Sequence, residues 1–190
     1  DPGGTQYRAH TFTSSGAFTV TEIGTYGSTI EYFIVAGGGG GSFGGGGGGG
    51  IKSNSPFMPS PRRDSAYTIA TNGGPASNGA YPVVIGAAGA VRNSGSNSVL
   101  NNPGSTITAN GAPDSDQGFA GGNGLQSGDY YGGGGGGGAG GAGENSSTSP
   151  GNSQNTGGNG GVGLQATIAG PTNTNVGAPG PSPGRWFGGG

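Results

Sequence analysis

Glycine runs constrain this chain more than any other feature of its sequence. The first two lie in the stretch AGGGGGSFGGGGGGG, from Ala36 to Gly50, and another occupies Gly132–Gly138. Glycine loses more conformational entropy on folding than any other residue, so such runs are usually flexible coil. These runs, however, are nearly pure glycine, recur along the chain and alternate with short strand-like segments, which is not typical of a linker. We therefore expect the runs to be ordered.

Polyglycine has a regular form that accounts for such order. A polyproline-II-like helix makes no internal hydrogen bonds and rises about 3.1 Å per residue, so seven residues span roughly 22 Å. Helices packed side by side can satisfy one another's N–H and C=O groups, and only glycine permits that approach. We predict a bundle of polyglycine-II helices from the runs at 37–50, 121–122, 132–143, 157–163 and 188–190.

Composition excludes several classes of protein. With 53 Gly and 13 Pro among 190 residues and only 28% hydrophobic residues, an ordinary helical core is not expected. Charged residues are 7% of the chain, so charge repulsion does not hold it open. Six Lys and Arg against eight Asp and Glu form no basic patch, which argues against a nucleic-acid partner. The chain has no cysteine and no apolar run of about 18 residues, so we expect no membrane span.

Short strands are expected throughout the chain. Residues 1–36 are predicted to form a hairpin, His10–Thr13 with Ala17–Thr21, followed by a buried strand that ends at Ala36. Residues 37–190 form the glycine-rich region, with short strands at 80–87, 97–109 and 164–170. No window has a helical period, so we predict an all-β fold with essentially no α-helix, built as one folded unit. Segments 51–65 and 144–156 are predicted as plain loops.

The strand and glycines near Gly37 also match a dinucleotide-binding pattern. Such a site needs a helix after the loop, whose N-terminus holds the pyrophosphate, and an acidic residue about 20 positions further on. Segment 51–65 contains three prolines and cannot form that helix, and Asp64 follows no second strand. A Gly-Lys pair typical of a phosphate-binding loop is also absent, because Lys52 follows Ile51. We therefore predict no nucleotide cofactor.

Ordered pieces along nearly the whole chain resemble one known group of proteins. HTFTSSGAFTV, IEYFIVAGGGGG, YPVVIGAAG, GSNSVL, STITANG, GGGGGGGAGGAG and RWFGGG follow one another as in the glycine-rich domains of bacteriophage, marine cyanophage-like, virion and tail-fibre proteins. The resemblance extends to the polyglycine-II domains of phage adhesins. It implies a small antiparallel β-sandwich, jelly-roll-like, continued by the polyglycine-II bundle, with loops that contact host-surface receptors. The Pro- and Arg-rich segment after Gly50 departs from that pattern.

Few residues suggest chemistry at a site. The single histidine, His10, lies in the predicted hairpin without a Ser–Asp partner, so we predict no catalytic residues. Asp114, Asp116 and Asp129 could offer oxygens to calcium, but the spacing and terminal Glu of a known calcium loop are missing. We therefore predict no metal and interpret these carboxylates as solvated.

Aromatic and Arg residues are the better candidates for a binding surface, because exposed aromatics and Arg concentrate binding energy. The alternative is that the rings cover the ends and flanks of the bundle. The candidate receptor or partner contacts are Phe57, Met58, Arg62, Arg63, Phe119, Tyr130, Tyr131 and Trp186.

Together these expectations describe a non-enzymatic structural protein of a phage virion, of tail-fibre, adhesin or capsid-decoration type. Its location would be the virion or the extracellular space. Its partners would be copies of itself, other virion proteins, or a host-surface glycan or protein. The alternative is a self-assembling subunit of an extracellular filament, completed through edge strands and unfilled glycine helices. Since the sequence begins at Asp1 without a signal peptide, we expect a processed product or a fragment.

Overall fold

The fold is all-β, as predicted, in the part of the chain that the structure describes. The computed structural model describes residues 8–25, 27–55, 58, 62–112, 117–127, 130–148, 155–166, 178–179, 185–187 and 189. The strands there are β1 (Gly16–Phe18), β2 (Thr29–Ile30), β3 (Phe33–Val35), β4 (Ile51–Ser53), β5 (Tyr67–Thr68), β6 (Tyr81–Val84), β7 (Ser98–Leu100), β8 (Ile107–Ala109), β9 (Leu125–Ser127), β10 (Tyr130–Gly132), β11 (Ser147–Thr148), β12 (Asn155–Thr156), β13 (Leu164–Ala166), β14 (Ala178–Pro179) and β15 (Arg185–Phe187). These described residues contain no helix.

The strands form one four-stranded antiparallel sheet and several smaller ones. The larger sheet has the order β1-β6-β7-β8. Two-stranded ribbons pair β2 with β5, β3 with β4, β9 with β10 and β11 with β12, and a three-stranded sheet has the order β13-β15-β14. β6 lies within the predicted strand segment 80–87, β7 and β8 lie within 97–109, and β13 begins the segment 164–170.

The first strand does not form the predicted hairpin. Residues 8–13 form no strand, and β1 pairs instead with β6, with Phe18 opposite Tyr81. The Phe18 and Tyr81 rings lie 6.2 Å apart, and the rings of His10 and Phe12 meet Phe18 edge to face. Aromatic packing against a distant strand therefore outweighs the local turn signal, as strand pairing depends on its neighbours more than on propensity.

The single buried strand expected before Ala36 is also divided in two. β2 pairs with β5, while β3 pairs with β4, which occupies the start of a segment predicted as a loop. Between them Tyr32 turns inward and is 5% exposed. Its N–H donates to Asn54 Oδ1 at 3.0 Å, and Ser53 Oγ donates to its carbonyl at 2.7 Å. These side-chain bonds satisfy the backbone where the ladder is interrupted. The second predicted loop, 144–156, likewise contains β11 and β12.

Two hydrophobic clusters hold the elements together. The first joins the four-stranded sheet to β2, β3 and β5, and its buried members are Val20, Tyr32, Tyr67, Tyr81, Leu100 and Ile107. The second contains Ile51, Met58 and Ala139, with Phe33, Val35, Leu164 and Phe187 packed against them. Because Ala139 follows the run Gly132–Gly138, the second cluster fastens the glycine segments to β3 and β4.

The glycine segments are joined laterally by hydrogen bonds that recur every three residues. Between 36–42 and 44–50, Ala36 N donates to Gly50 O and Gly39 N donates to Gly47 O, both at 2.9 Å. Since the donor advances by three residues while the acceptor retreats by three, these segments run antiparallel. Segments 44–50 and 117–124 are related in the same way, through Gly45 N to Gly122 O and Gly48 N to Phe119 O.

Other neighbouring segments run parallel with the same three-residue step. Gly158 N donates to Gly133 O at 2.9 Å, and Gly161 N donates to Gly136 O at 2.7 Å. Successive residues of one run face different neighbours, because Gly137 N donates to Gly46 O in another segment. The step of three equals the turn of a polyproline-II helix. The polyglycine-II helix type and the β-sandwich themselves stay predictions.

Close packing of backbones explains why these segments are glycine. A Cβ atom added to Gly135 would overlap the carbonyl of Asn159, and one added to Gly45 would overlap the carbonyl of Gly135. The atoms in the way belong to backbone, which cannot turn aside as a side chain can. Gly133, two residues from Gly135, differs, since its Cβ would lie 4.0 Å from Phe43 O.

We predict that Gly135→Ala destabilises the chain far more than Gly133→Ala. The first change forces two hydrogen-bonded segments apart and should lower the free energy of unfolding by about 3 kcal/mol or more, in the range of severe packing defects. The second should lie within about 1 kcal/mol of the native chain, because its Cβ makes only an ordinary contact with Phe43 O and restricts the unfolded chain. Urea unfolding of both variants measures the difference. Equal unfolding midpoints would show that the backbones do not pack as described.

Tyr67 has a buried hydroxyl whose setting differs from those of the neighbouring tyrosines. The Tyr32 hydroxyl donates to Ser65 O at 3.3 Å, and the Tyr81 hydroxyl donates to Ala70 O at 3.2 Å. Tyr67 is 1% exposed, and its hydroxyl has no hydrogen-bond partner in the part of the chain that the structure describes. Burial, and secondarily Tyr81, raises the pKa of Tyr67 to about 12 from 10.0.

We predict that the free energy of unfolding falls between about pH 10 and pH 12, in line with that raised pKa. Unfolded Tyr67 loses its proton near pH 10 while folded Tyr67 keeps it, so its contribution is complete below that pH and is lost as pH rises through the folded pKa. Tyr67→Phe should show a smaller alkaline loss. It should also be about 1 kcal/mol more stable at pH 7, because it removes an unsatisfied hydroxyl. Urea unfolding across the pH range tests both, and identical pH profiles would contradict the assignment.

Candidate binding surfaces

The predicted contact residues divide between the interior and the surface. Met58 is 5% exposed and packs with Ile51 and Ala139. Arg62 is 7% exposed, and its Nε donates to Gln117 O at 3.0 Å. Both side chains lie inside the protein, so the structure corrects their predicted role as receptor contacts.

Arg62 is held by an aromatic ring as well as by its hydrogen bond. Its guanidinium carbon lies 4.9 Å from the centre of the Phe119 ring, a cation–π contact, and Phe119 itself is half-buried. Burial lowers the pKa of Arg62 from its ordinary value. Arg is suited to this position because its planar head can stack on a ring and donate in its own plane. Sequence analysis therefore identified residues that lie together, but they join the proline-rich segment to 117–119 rather than facing a partner.

The remaining candidates are spread over the chain. Arg63 is exposed and forms an isolated parallel bridge with Ser53. Trp186 is half-buried in β15, and its indole N–H has no hydrogen-bond partner among the described residues. Tyr130 lies in β10, where its backbone pairs with Ser127. Phe57 lies outside the described residues.

Tyr131 forms an exposed aromatic pair with a residue that sequence analysis did not select. Tyr131 is 61% exposed and stacks on Phe43, which is 67% exposed, with ring centres 6.4 Å apart and planes inclined by 22°. Gln126 Nε2 donates to the Tyr131 hydroxyl at 3.1 Å. A signal for Phe43 was present, since it is a lone aromatic residue between two glycine runs, where burial in a bundle of backbones is impossible.

The residues considered for catalysis and metal binding lie only partly within the described part of the chain. His10 is exposed, and its ring lies 5.3 Å from Phe18. Asp114, Asp116 and Asp129 lie outside those residues, and within them no three His, Cys, Asp or Glu side chains are grouped to hold a metal ion. A shallow groove of about 360 Å³ runs along glycine backbone and is lined otherwise by Val35 and Ala36. Such a lining offers no ionisable group for acid–base chemistry.

The comparisons with known proteins identify no relative. No protein-family model, no curated protein and no solved structure matches the chain. Within the described residues, no helix is long and apolar enough to cross a membrane.

We predict that Arg62→Ala lowers stability and Arg63→Ala does not. Loss of Arg62 removes a charge-assisted hydrogen bond and the contact with Phe119, and should cost about 1.5–3 kcal/mol. Arg63→Ala changes an exposed side chain at the neighbouring position, where solvent screens its interactions, and should cost less than about 1 kcal/mol. Arg62→Lys should restore only part of the loss, since Lys cannot stack and donate in one plane. Thermal or urea unfolding measures all three, and equal midpoints for the two alanine variants would contradict this role.

Proposed function

We propose that the chain is a non-enzymatic structural protein of a bacteriophage virion, of tail-fibre, adhesin or capsid-decoration type. In this role it presents loops on a rigid glycine scaffold, in the virion or outside cells. Its partners are copies of itself or other virion proteins, together with a glycan or protein of the host surface.

One observation carries this proposal: the glycine runs are packed segments whose backbones bond to one another and leave no space for side chains at most positions. Gly135 illustrates it, because it accepts from Gly122 N at 2.8 Å and donates to Glu144 O at 2.9 Å. A scaffold of that kind has few side chains of its own with which to bind or catalyse. Recognition is then left to the turns at the ends of the segments, which is the expected arrangement for loops on a rigid framework.

The sequence resemblance to glycine-rich phage domains adds the virion setting. The packed glycine segments agree with the polyglycine-II bundle that the resemblance implies, in step length and in their lateral bonding. A backbone that is bonded in this way also suits an external particle, because proteases need locally unfolded chain.

Edge strands favour a second candidate, a subunit of an extracellular filament. In the sheet order β1-β6-β7-β8, the first and last strands each have one hydrogen-bonded neighbour. β8 is three residues long and includes Ile107 and Ala109, both buried. An edge strand presents N–H and C=O groups that another copy can complete.

We predict that an antibody raised against the chain labels phage particles from the sample in which the sequence occurs. The label should lie on one part of the particle, either a fibre or the capsid surface. Immunogold electron microscopy measures the labelling, with pre-immune serum as control. Particles that carry no label would contradict a virion role.

The filament alternative is tested separately on the purified chain. Light scattering and electron microscopy over a concentration series should show discrete particles of fixed mass if the chain is a fibre or decoration module. Long regular filaments that grow with concentration would favour the alternative. Thr108→Pro, which removes a backbone N–H from β8, should then block their growth, because proline cannot donate to a ladder.

A further inference from the structure

The exposed aromatic pair lies at one end of the bundle and is held there by backbone. Phe43 follows the first glycine run, and Ser42 N donates to Gly44 O at 3.0 Å across the turn that carries it. The Phe43 carbonyl lies against Gly124, so closely that a Cβ at that glycine would overlap it. Tyr131 belongs to β10, whose backbone is paired with β9. Both rings therefore stand on fixed backbone, and little conformational entropy is lost when a ligand binds them.

Exposure of this pair has no structural explanation in the fold. A single exposed ring is ordinary on a protein surface, but two stacked rings, both more than half exposed, are not. The first hydrophobic cluster and the second lie elsewhere and contain neither ring. Gln126 Nε2 donates to the Tyr131 hydroxyl, so a polar group stands beside the exposed rings.

Amide side chains predominate in the described surroundings of the pair. Asn123 is exposed next to Gly124, and Asn145 joins it through the bond from Asn123 N to Asn145 Oδ1 at 2.7 Å. The adjoining acid, Glu144, directs its carboxylate to the Asn159 amide at 2.8 Å. Primary amides can donate and accept at once, as sugar hydroxyls can. An aromatic face carries negative charge and attracts the weakly positive C–H groups of a sugar ring.

We propose that Phe43 and Tyr131, with Gln126 and the amides of Asn123 and Asn145, form a binding site for an uncharged saccharide. The proposal rests on the proposed function, in which the loops face a host surface, and it names the chemical class that they recognise. A protein partner is less well matched, since the side chains placed beside the pair are amides. One more exposed apolar residue, Val91, follows Ala90, whose carbonyl lies against Gly40. Val162 is also exposed, but its carbonyl accepts from Gly140 N at the far end of the run that Tyr131 precedes.

The test uses the full chain and a panel of immobilised neutral polysaccharides: mannan, galactan, dextran and xylan. At least one should retain the chain, and the double variant Phe43→Ala/Tyr131→Ala should bind it at least tenfold more weakly. Tyr131→Phe keeps the ring and should stay within a few-fold of the native chain. Val162→Ala removes an equally exposed apolar side chain at the opposite end and should bind as the native chain does. Matching unfolding midpoints establish that the variants fold, as expected for exposed side chains.

A second readout locates the site. In aromatic NMR spectra, soluble oligosaccharides from the retained polysaccharide should shift the Phe43 and Tyr131 resonances and leave those of Tyr67 unchanged. The site is overturned if no polysaccharide is retained, if the double variant binds as well as the native chain, or if self-association is what the double variant loses. None of these results determines whether the antibody labels virions. Failure of the saccharide site can therefore be distinguished from failure of the virion role.

Discussion

Lateral hydrogen bonds between glycine backbones are the interaction on which the rest of the structure depends. A chain with so few apolar residues cannot gain enough from hydrophobic burial alone to offset the entropy of ordering its glycines. It orders them because each segment supplies the donors and acceptors that its neighbours need, as between Gly39 and Gly47 or Gly158 and Gly133. Each bond contributes only about 1 kcal/mol net, so the order depends on many bonds formed together.

The second hydrophobic cluster determines where two of the glycine segments end. Ile51 is fully buried at the end of the second run, and Ala139 is fully buried at the end of the run from Gly132. Each apolar residue ends its glycine segment at the point where it packs into the second cluster. The repetitive sequence is thereby divided into segments of defined length. Arg62 serves the same purpose from the proline-rich side, by bonding to Gln117 O and covering Phe119.

Sequence reasoning succeeded where the signal is local and failed where it is not. The all-β class follows from β-branched residues and the missing helical period, and β6, β7 and β8 lie where short apolar segments were noted. Pairing of β1 with β6 was missed, since it depends on the contact of Phe18 with Tyr81, and strands β2 to β5 lie between them in the sequence. Among the candidate contacts, Met58 and Arg62 could not be distinguished from surface residues, because their burial arises from segments distant in sequence. Phe43 was not selected because the two glycine runs on either side of it were interpreted as one segment, 37–50.

The three-residue step has a consequence for how such a chain can change its length. Gly135, Gly136 and Gly137 bond to three different neighbours, to Glu144, Gly161 and Gly46 respectively. Loss of one residue from the run would turn everything beyond it by a third of a turn and present each neighbour with the wrong group. Loss of three would remove one turn together with its bonds and leave the remaining groups facing the same neighbours. We therefore expect the lengths of the glycine runs to change by multiples of three residues. The turns between runs can change in length by single residues.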